Sequence, residues 1–455
     1  MFINWLLVMS FATIFGSIGL SPAKAQGSSL TDTHLTAQEF MDKFGVNVHF
    51  GDNNYRNTQA VADALHIIGF RRIRGTCAGA YDVAVWKDIA ARVAPYFPDG
   101  LKADVLVTGY NNVSVTTLAV QESAILQISG LIESIEGPNE INGYGVGNGT
   151  HGPFDLTDST KNFPANYAAW AKALADWKRA TPSLSHVALL APSIASGDPA
   201  DYARLPNVSQ YVTSGNLHFY AGNGLQPSGF GGGNFSALVD WDRQAATPDK
   251  PVSVTEWGQT TASKPGQGGC DEATQAKYIL NQICDVAAKG IYRAYLYQLM
   301  DDSSDGDPTG KSGSEAHFGI FDYLWRVKLA AKALANVNTL LADSSKPFQP
   351  KIPAYQVSGV TRAGASGSSL SLSKSDGSTM IVVWNEPPLW DAQVNAAIIP
   401  TPDKVTVSFG GRYSYRVYDP MLGLAPIAVG QATGTVIKLS GSPLFVQVQQ
   451  SPANR

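Results

Sequence analysis

The sequence predicts an α/β fold: a (β/α)8 TIM barrel followed by a C-terminal antiparallel β-sandwich. Three observations predict it. Between Phe44 and about Leu341, short runs rich in Val, Ile and aromatic residues alternate with amphipathic helical segments through eight units, as a closed parallel barrel requires. After about Ser345 the helical period disappears and short alternating runs take over. No G-x-G-x-x-G opens the first helix, which argues against the other regular α/β arrangement, a doubly wound nucleotide-binding sheet.

The elements follow in chain order. "MFINWLLVMSFATIFGSIGLSPAKAQ" holds an apolar stretch and then Ala23-Lys24-Ala25, so residues 1–25 read as a signal peptide cleaved after Ala25. Its n-region lacks Lys and Arg, which leaves an uncleaved anchor as the alternative. The expected location is secreted or periplasmic. Residues 26–43 form an N-terminal segment that can add a strand to the sandwich. The barrel, residues 44–342, takes its strands from "FGVNVHF", "FRRIRG", "ADVLVTG", "LIESIEG", "HVALLAPS", "GNLHFY", "PVSVTEWG" and "IYRAYLYQL". Segments such as "TQAVADALHIIG" and "EATQAKYILNQICDVAAKG" place apolar residues at i, i+3, i+4 and i+7, one face of a helix laid on the sheet. The sandwich, residues 343–455, is expected from "SLSLSKS", "TMIVVWN", "KVTVSFG", "YSYRVYD", "TVIKLSG" and "LFVQVQQ". No Ser/Pro-rich linker separates the two, so direct packing is expected.

Composition narrows the partners. Charged residues make up 15% of the chain and the formal net charge is −4, which supplies no basic footprint for nucleic acid. No stretch after the signal is long and apolar enough to span a bilayer. Three cysteines, Cys77, Cys270 and Cys284, allow one bridge or none, and no Cys/His spacing fits zinc. Neither a metal nor another cofactor is expected. The oligomeric state is open.

Barrel active sites form at the carboxyl ends of the strands. Those ends carry His49, Arg74, Asn139-Glu140, His218 and Tyr220, Glu256-Trp257, and Tyr297. Glu140 and Glu256, after strands four and seven, face each other across one mouth. Glycosidic cleavage needs such a pair: an acid to protonate the leaving oxygen and a carboxylate at the anomeric carbon. A separation of about 5–5.5 Å gives retention and about 6.5–9.5 Å gives inversion. Glu140 must hold a proton, while Arg74 and the Tyr220 hydroxyl would keep Glu256 ionised. Glu136, deeper on strand four, is expected to pair with a barrel residue such as Arg74.

These residues resemble a known group. Asn-Glu ending strand four, Glu ending strand seven and His-x-Tyr ending strand six resemble the large clan of retaining (β/α)8 glycoside hydrolases. Within it, "SIEGPNE" is similar to the Glu-x-x-Asn-Glu strand of glycoside hydrolase family 39 and its neighbours. The resemblance covers the barrel, and the following sandwich fits that group. It implies Glu140 as acid/base, Glu256 as nucleophile, Asn139 on the sugar 2-hydroxyl and Tyr220 orienting Glu256, with His218 and Arg74 beside the sugar; His49, from its place at the end of strand one, is a further substrate-binding candidate. Two features depart from it: Gly137-Pro138 replaces an aromatic before Asn-Glu, and no Trp ends strand eight. Tyr297 or Trp257 then becomes the sugar platform.

Two other motifs compete. "GTCAG" places Cys77 in a G-x-nucleophile-x-G pattern, but no helix is read directly behind it and it is taken as a loop. "DDSSDGD", Asp301 to Asp307, has Ser303 at the third ligand position and Ser312 at the twelfth, a poor calcium loop. The sequence thus reads as an exported retaining glycoside hydrolase acting on a poly- or oligosaccharide, with an exopolysaccharide among the candidates. A non-catalytic carbohydrate-binding protein on the same fold, or a transglycosylase in polysaccharide assembly, are the alternatives.

Overall fold

The computed structural model describes residues 33–51, 53–107, 115–142, 159–229, 234–262, 267–302, 313, 315–343, 348–349 and 352–450. Residues 1–25, expected as a signal peptide, and most of the acidic stretch 301–312 lie outside the described residues.

Eight parallel strands form the barrel: β1 (Phe44–Asn47), β2 (Arg72–Thr76), β3 (Lys102–Leu106), β4 (Ile132–Glu136), β5 (Ala188–Leu189), β6 (Gly215–Phe219), β7 (Val252–Trp257) and β8 (Ala294–Leu296). Neighbours pair in order from β1 to β5 and from β6 through β8 back to β1. A parallel bridge from Leu190 to Ser214 joins β5 to β6 and closes the ring, which rules out an open doubly wound sheet. A helix follows every strand. That after β1, Thr58–Ile68, shows how locally the boundaries are set: Asn57 accepts from the Ala60 amide at its start, and Gly69 ends it at φ 75°, a left-handed conformation glycine adopts without penalty.

Each helix buries an apolar stripe on the ring in one continuous core with Val46, Ile73, Val105, Ile135, Leu217, Val254 and Leu296. The amino ends of the strands are tied by charge. Arg72 donates to Glu133 at 2.6 and 3.0 Å, Arg293 reaches the same carboxylate at 2.9 Å, and Arg72 also meets Asp42 at 3.1 Å. Despite its burial, the two guanidiniums hold the Glu133 carboxyl down to about 2. This is the barrel's stability end.

Apart from a short ribbon that pairs Trp390–Asp391 with Ala396–Ala397, the described C-terminal strands form one folded sheet. Its spine is a 16-residue strand, Asp403–Tyr418, where the sequence suggests two. Gly410-Gly411 lies between the two runs, and the chain passes through it as an irregularity between Ser408 and Tyr413. One side of the spine pairs throughout with Ala428–Leu439. The other side pairs with Tyr355–Ser358 in its first half and Leu444–Gln450 in its second. The halves enclose Ile381, Val383, Val405, Val407, Val417, Leu439, Val446 and Val448 as a sandwich core. At the sheet's edge His34–Thr36 pairs in parallel with Ser371–Ser373.

Leu370, Leu372, Met380, Val382, Trp384 and Phe445 point the other way and join the barrel core, so barrel and sandwich form one compact unit. The contact includes buried polar groups. Asp285, on the helix after β7 (Glu272–Ala288), accepts from the Ser366 amide at 2.8 Å and the Ala365 amide at 3.2 Å. Among the described residues, no helix is long and apolar enough to cross a membrane.

Candidate active site

Arg74 organises the mouth of the barrel. It is 4% exposed, and its guanidinium donates to Asn47 Oδ1 at 2.7 Å, Glu256 Oε1 at 2.6 Å and Asn139 Oδ1 at 2.7 Å, and also to Glu136. Burial opposes its charge, but Glu136, Glu256 and Asp104 together hold it cationic. One cation on β2 thus joins groups from β1, β4 and β7. The expected Arg74–Glu136 pair is present.

Glu256 reaches this network because β7 carries an extra residue. Leu217 pairs with Val254 but His218 pairs with Glu256, so a bulge falls at Thr255. Strict alternation would turn either Thr255 or Glu256 away from the barrel axis. With the bulge, Thr255 meets Asn216 and His218 while Glu256 meets Arg74 and Tyr220. Trp257 is then directed into the packing beside Phe219. It is 0% exposed, so it offers no face to a sugar, contrary to the platform role expected of it. Gly258 follows because a Cβ there would lie 2.2 Å from the Tyr297 carbonyl oxygen.

Tyr220 donates to Glu256 Oε2 at 2.7 Å. Burial alone would raise the Glu256 carboxyl. The His218 and Arg74 charges and the Tyr220 and Arg74 hydrogen bonds outweigh it and hold the carboxyl below the ordinary glutamate range. Glu256 is a buried carboxylate kept ionised.

Glu140 is held otherwise. Strand β4 ends at Glu136, four residues earlier than the sequence suggests, because Pro138 has no N–H for the ladder. Asn139 and Glu140 lie in the turn beyond, Glu140 with φ 46°. One Glu140 carboxylate oxygen lies 2.9 Å from His218 Nδ1, and the same nitrogen is 3.4 Å from Glu256 Oε2.

The hydrogen-bond network assigns the His218 tautomer. Asn216 Nδ2 donates to Glu136 and to the Ala191 carbonyl, leaving its Oδ1 to accept from the Thr255 hydroxyl at 2.8 Å. The Thr255 oxygen must then accept from His218 Nε2–H, at 3.2 Å. Nδ1 therefore shares a proton with Glu140. One oxygen of each glutamate and a His218 nitrogen all lie within 4.8 Å of one another. By distance these three could also hold a metal ion, but the Arg74 guanidinium against Glu256 disfavours a second cation there.

An aromatic wall lines one side. Tyr297 lies 5.3 Å from His49, 6.2 Å from Tyr220 and 5.5 Å from Phe318, and Phe318 lies 5.4 Å from Tyr220. Tyr297 and His49 keep partial exposure, as a sugar-facing surface needs. Tyr55 is buried behind them and donates to Gln298. The sequence reading missed Asn47, Asn216, Thr255, Phe318 and Glu315. Glu315 belongs to a short turn after β8 and lies in the field of the site. Desolvation, then Glu256 and Glu140, raise its carboxyl against the opposing pull of His49, though solvent still reaches the residue.

The competing cysteine motif falls away. The helix Ala80–Val93 begins directly behind Gly79, contrary to expectation, so "GTCAG" does sit at a strand–helix turn. But burial, then Asp82, pushes the Cys77 thiol up to about 12, which removes the thiolate a nucleophile needs. All three cysteines are free and buried. Of the acidic stretch, Asp301 is taken by Lys328 at 3.2 Å, while Ser303 to Asp307 and Ser312 lie outside the described residues.

No family model matches the chain, and no curated protein matches it. Solved structures do. It is similar to a family 39 glycoside hydrolase from the gut symbiont Bacteroides cellulosilyticus WH2, with a TM-score of 0.57 and 16% identity over 91% of this chain and 82% of that one. It is also similar to the family 39 enzyme from Xanthomonas axonopodis pv. citri, with a TM-score of 0.53 and 12% identity over 94% of this chain and 98% of that one. At such identities the likeness is one of fold.

Proposed function

We propose that this chain is a retaining glycoside hydrolase that cleaves O-glycosidic bonds of a poly- or oligosaccharide by double displacement. The observation that carries the proposal is the carboxylate pair: Glu256 kept ionised, Glu140 sharing a proton with His218, and an oxygen of each within 4.8 Å. Oxygens that close are compatible with the roughly 5–5.5 Å carboxyl separation of retaining enzymes, the reading adopted over inversion at about 6.5–9.5 Å. The fold shared with two family 39 glycoside hydrolases supports the same reading.

In the first step the Glu256 carboxylate attacks the anomeric carbon as the glycosidic C–O bond breaks. The Glu140 carboxyl transfers its proton to the departing oxygen. Arg74 and Tyr220 hold Glu256 in line, and Asn139, fixed by Arg74, presents its amide to the sugar 2-hydroxyl. In the second step the Glu140 carboxylate takes a proton from water, the new C–O bond forms at the same carbon, and Glu256 leaves as carboxylate. Tyr297, His49 and Phe318 supply the apolar face for the ring. The Ala23-Lys24-Ala25 site supports action outside the cytoplasm, on an extracellular polymer.

Incubation with a panel of 2-deoxy-2-fluoro glycosyl fluorides tests the proposal. A mass increase of one fluorosugar, mapped to the peptide bearing Glu256, is expected. An adduct on any other residue would overturn the assignment.

A further inference from the structure

The Glu140 turn is not self-supporting. It has left the β4 ladder, and Glu140 adopts a left-handed backbone that non-glycine residues avoid. What holds it is the segment that follows β5. The Glu140 amide donates to Ser193 Oγ at 3.0 Å, and the Ile141 amide donates to the Ser193 carbonyl at 3.0 Å. Asn142 completes the seam: its Nδ2 donates to the Ala195 carbonyl at 3.0 Å, and its Oδ1 accepts from the Ala195 amide at 2.8 Å. Ser193 is 1% exposed, and Ile141 and Ile194 are buried on either side of the seam.

We infer that Ser193 and Asn142 are positioning residues that hold Glu140 in register with His218 for proton transfer. The inference rests on the functional reading given above. The Glu140 amide leaves the sheet with no strand to receive it and takes the Ser193 hydroxyl instead, while the Asn142 side chain ties the next turn to the Ala195 backbone. Without the Ser193 hydroxyl the Glu140 amide is left without its acceptor. The turn then relaxes toward negative φ and swings the carboxyl away from His218 Nδ1. Glu256, fixed by Arg74 and Tyr220 on other strands, stays in place. The loss therefore falls on protonation of the leaving group and spares nucleophilic attack.

Leaving-group dependence reads this directly. Matched 2,4-dinitrophenyl and methyl glycosides of the sugar that labels Glu256 are compared in wild type, Ser193→Ala, Asn142→Ala and Glu140→Ala. With Ser193→Ala, kcat/KM on the methyl glycoside should fall about 10- to 100-fold, and on the dinitrophenyl glycoside less than about threefold. Asn142→Ala should show the same selectivity at a smaller size, and it decides the matter if Ser193→Ala does not fold. Equal losses on both substrates, or none, would overturn the inference. A Glu140→Ala enzyme without leaving-group dependence would instead overturn the functional reading. One readout needs no substrate: the His218 ring nitrogen resonances of Ser193→Ala should move toward those of Glu140→Gln, and an unchanged spectrum counts against the seam.

Discussion

Glu256 and Glu140 face each other across one mouth, yet the molecule places them by opposite means. Glu256 sits within strand β7, swung inward by the Thr255 bulge, and its carboxylate is fixed by Arg74 on β2 and by Tyr220 just beyond β6. Glu140 lies past the end of β4 in a left-handed turn, its backbone pinned to Ser193 and its carboxyl touching His218. One is anchored through its charge and the other through its backbone. The difference suits the two roles: a nucleophile must stay ionised at a fixed point, while an acid/base must exchange its proton twice per cycle and needs a less charged neighbourhood.

The comparison can be broken most sharply at Glu256. Glu256→Ala should lower turnover on every substrate, on the order of 10⁴-fold, whatever the leaving group, as initial rates on aryl glycosides would reveal. Glu140→Ala should cost about 10²- to 10⁴-fold on glycosides with poor leaving groups and little on activated ones in the glycosylation step. Similar behaviour of the two variants would erase the distinction. Arg74→Ala attacks the anchor itself by leaving Glu136 and Glu256 as buried carboxylates without their guanidinium, Glu136 held by Asn216 and Glu256 by Tyr220. It should destabilise the fold by about 3–5 kcal/mol, measured by denaturant unfolding, and the corresponding loss at the Glu140 seam should be much smaller.

Tyr220→Phe is the gentlest probe. Because the Glu256 carboxyl is held below its ordinary value partly by Tyr220, removing that donor should raise it. The acid limb of the kcat/KM–pH profile should then move to higher pH, with a rate loss of about tenfold. A limb that stays put would mean that His218 and Arg74 alone set the charge.

The sequence made the barrel legible because its eight strands are short apolar runs whose period contrasts with the helices between them. It made the two glutamates legible because each closes such a run. It could not reveal how they are aimed. A period of two cannot register the extra residue at Thr255, so Trp257 was assigned to the sugar when the bulge turns it into the core. Pro138 signals the end of β4, but not that Glu140 finds its backbone partners 53 residues later at Ser193. Phe318 and Glu315 follow β8 in irregular chain, where no periodicity marks a residue as facing the site. In the sandwich, "KVTVSFG" and "YSYRVYD" read as two runs because glycines fall between them. There the partner strands on both sides carry the spine through them.

The edge strand His34–Thr36 has a consequence for how the molecule is made. His34 Nδ1 lies 2.9 Å from Ser371 Oγ, a partner 337 residues away along the chain. At translation rates of about 5–20 residues per second, roughly 20–70 s separate the synthesis of the two. Throughout that interval His34–Thr36 lacks the strand it pairs with among the described residues. Every barrel strand leaves the ribosome before the pairing that ties the start of the described chain to its sandwich becomes available.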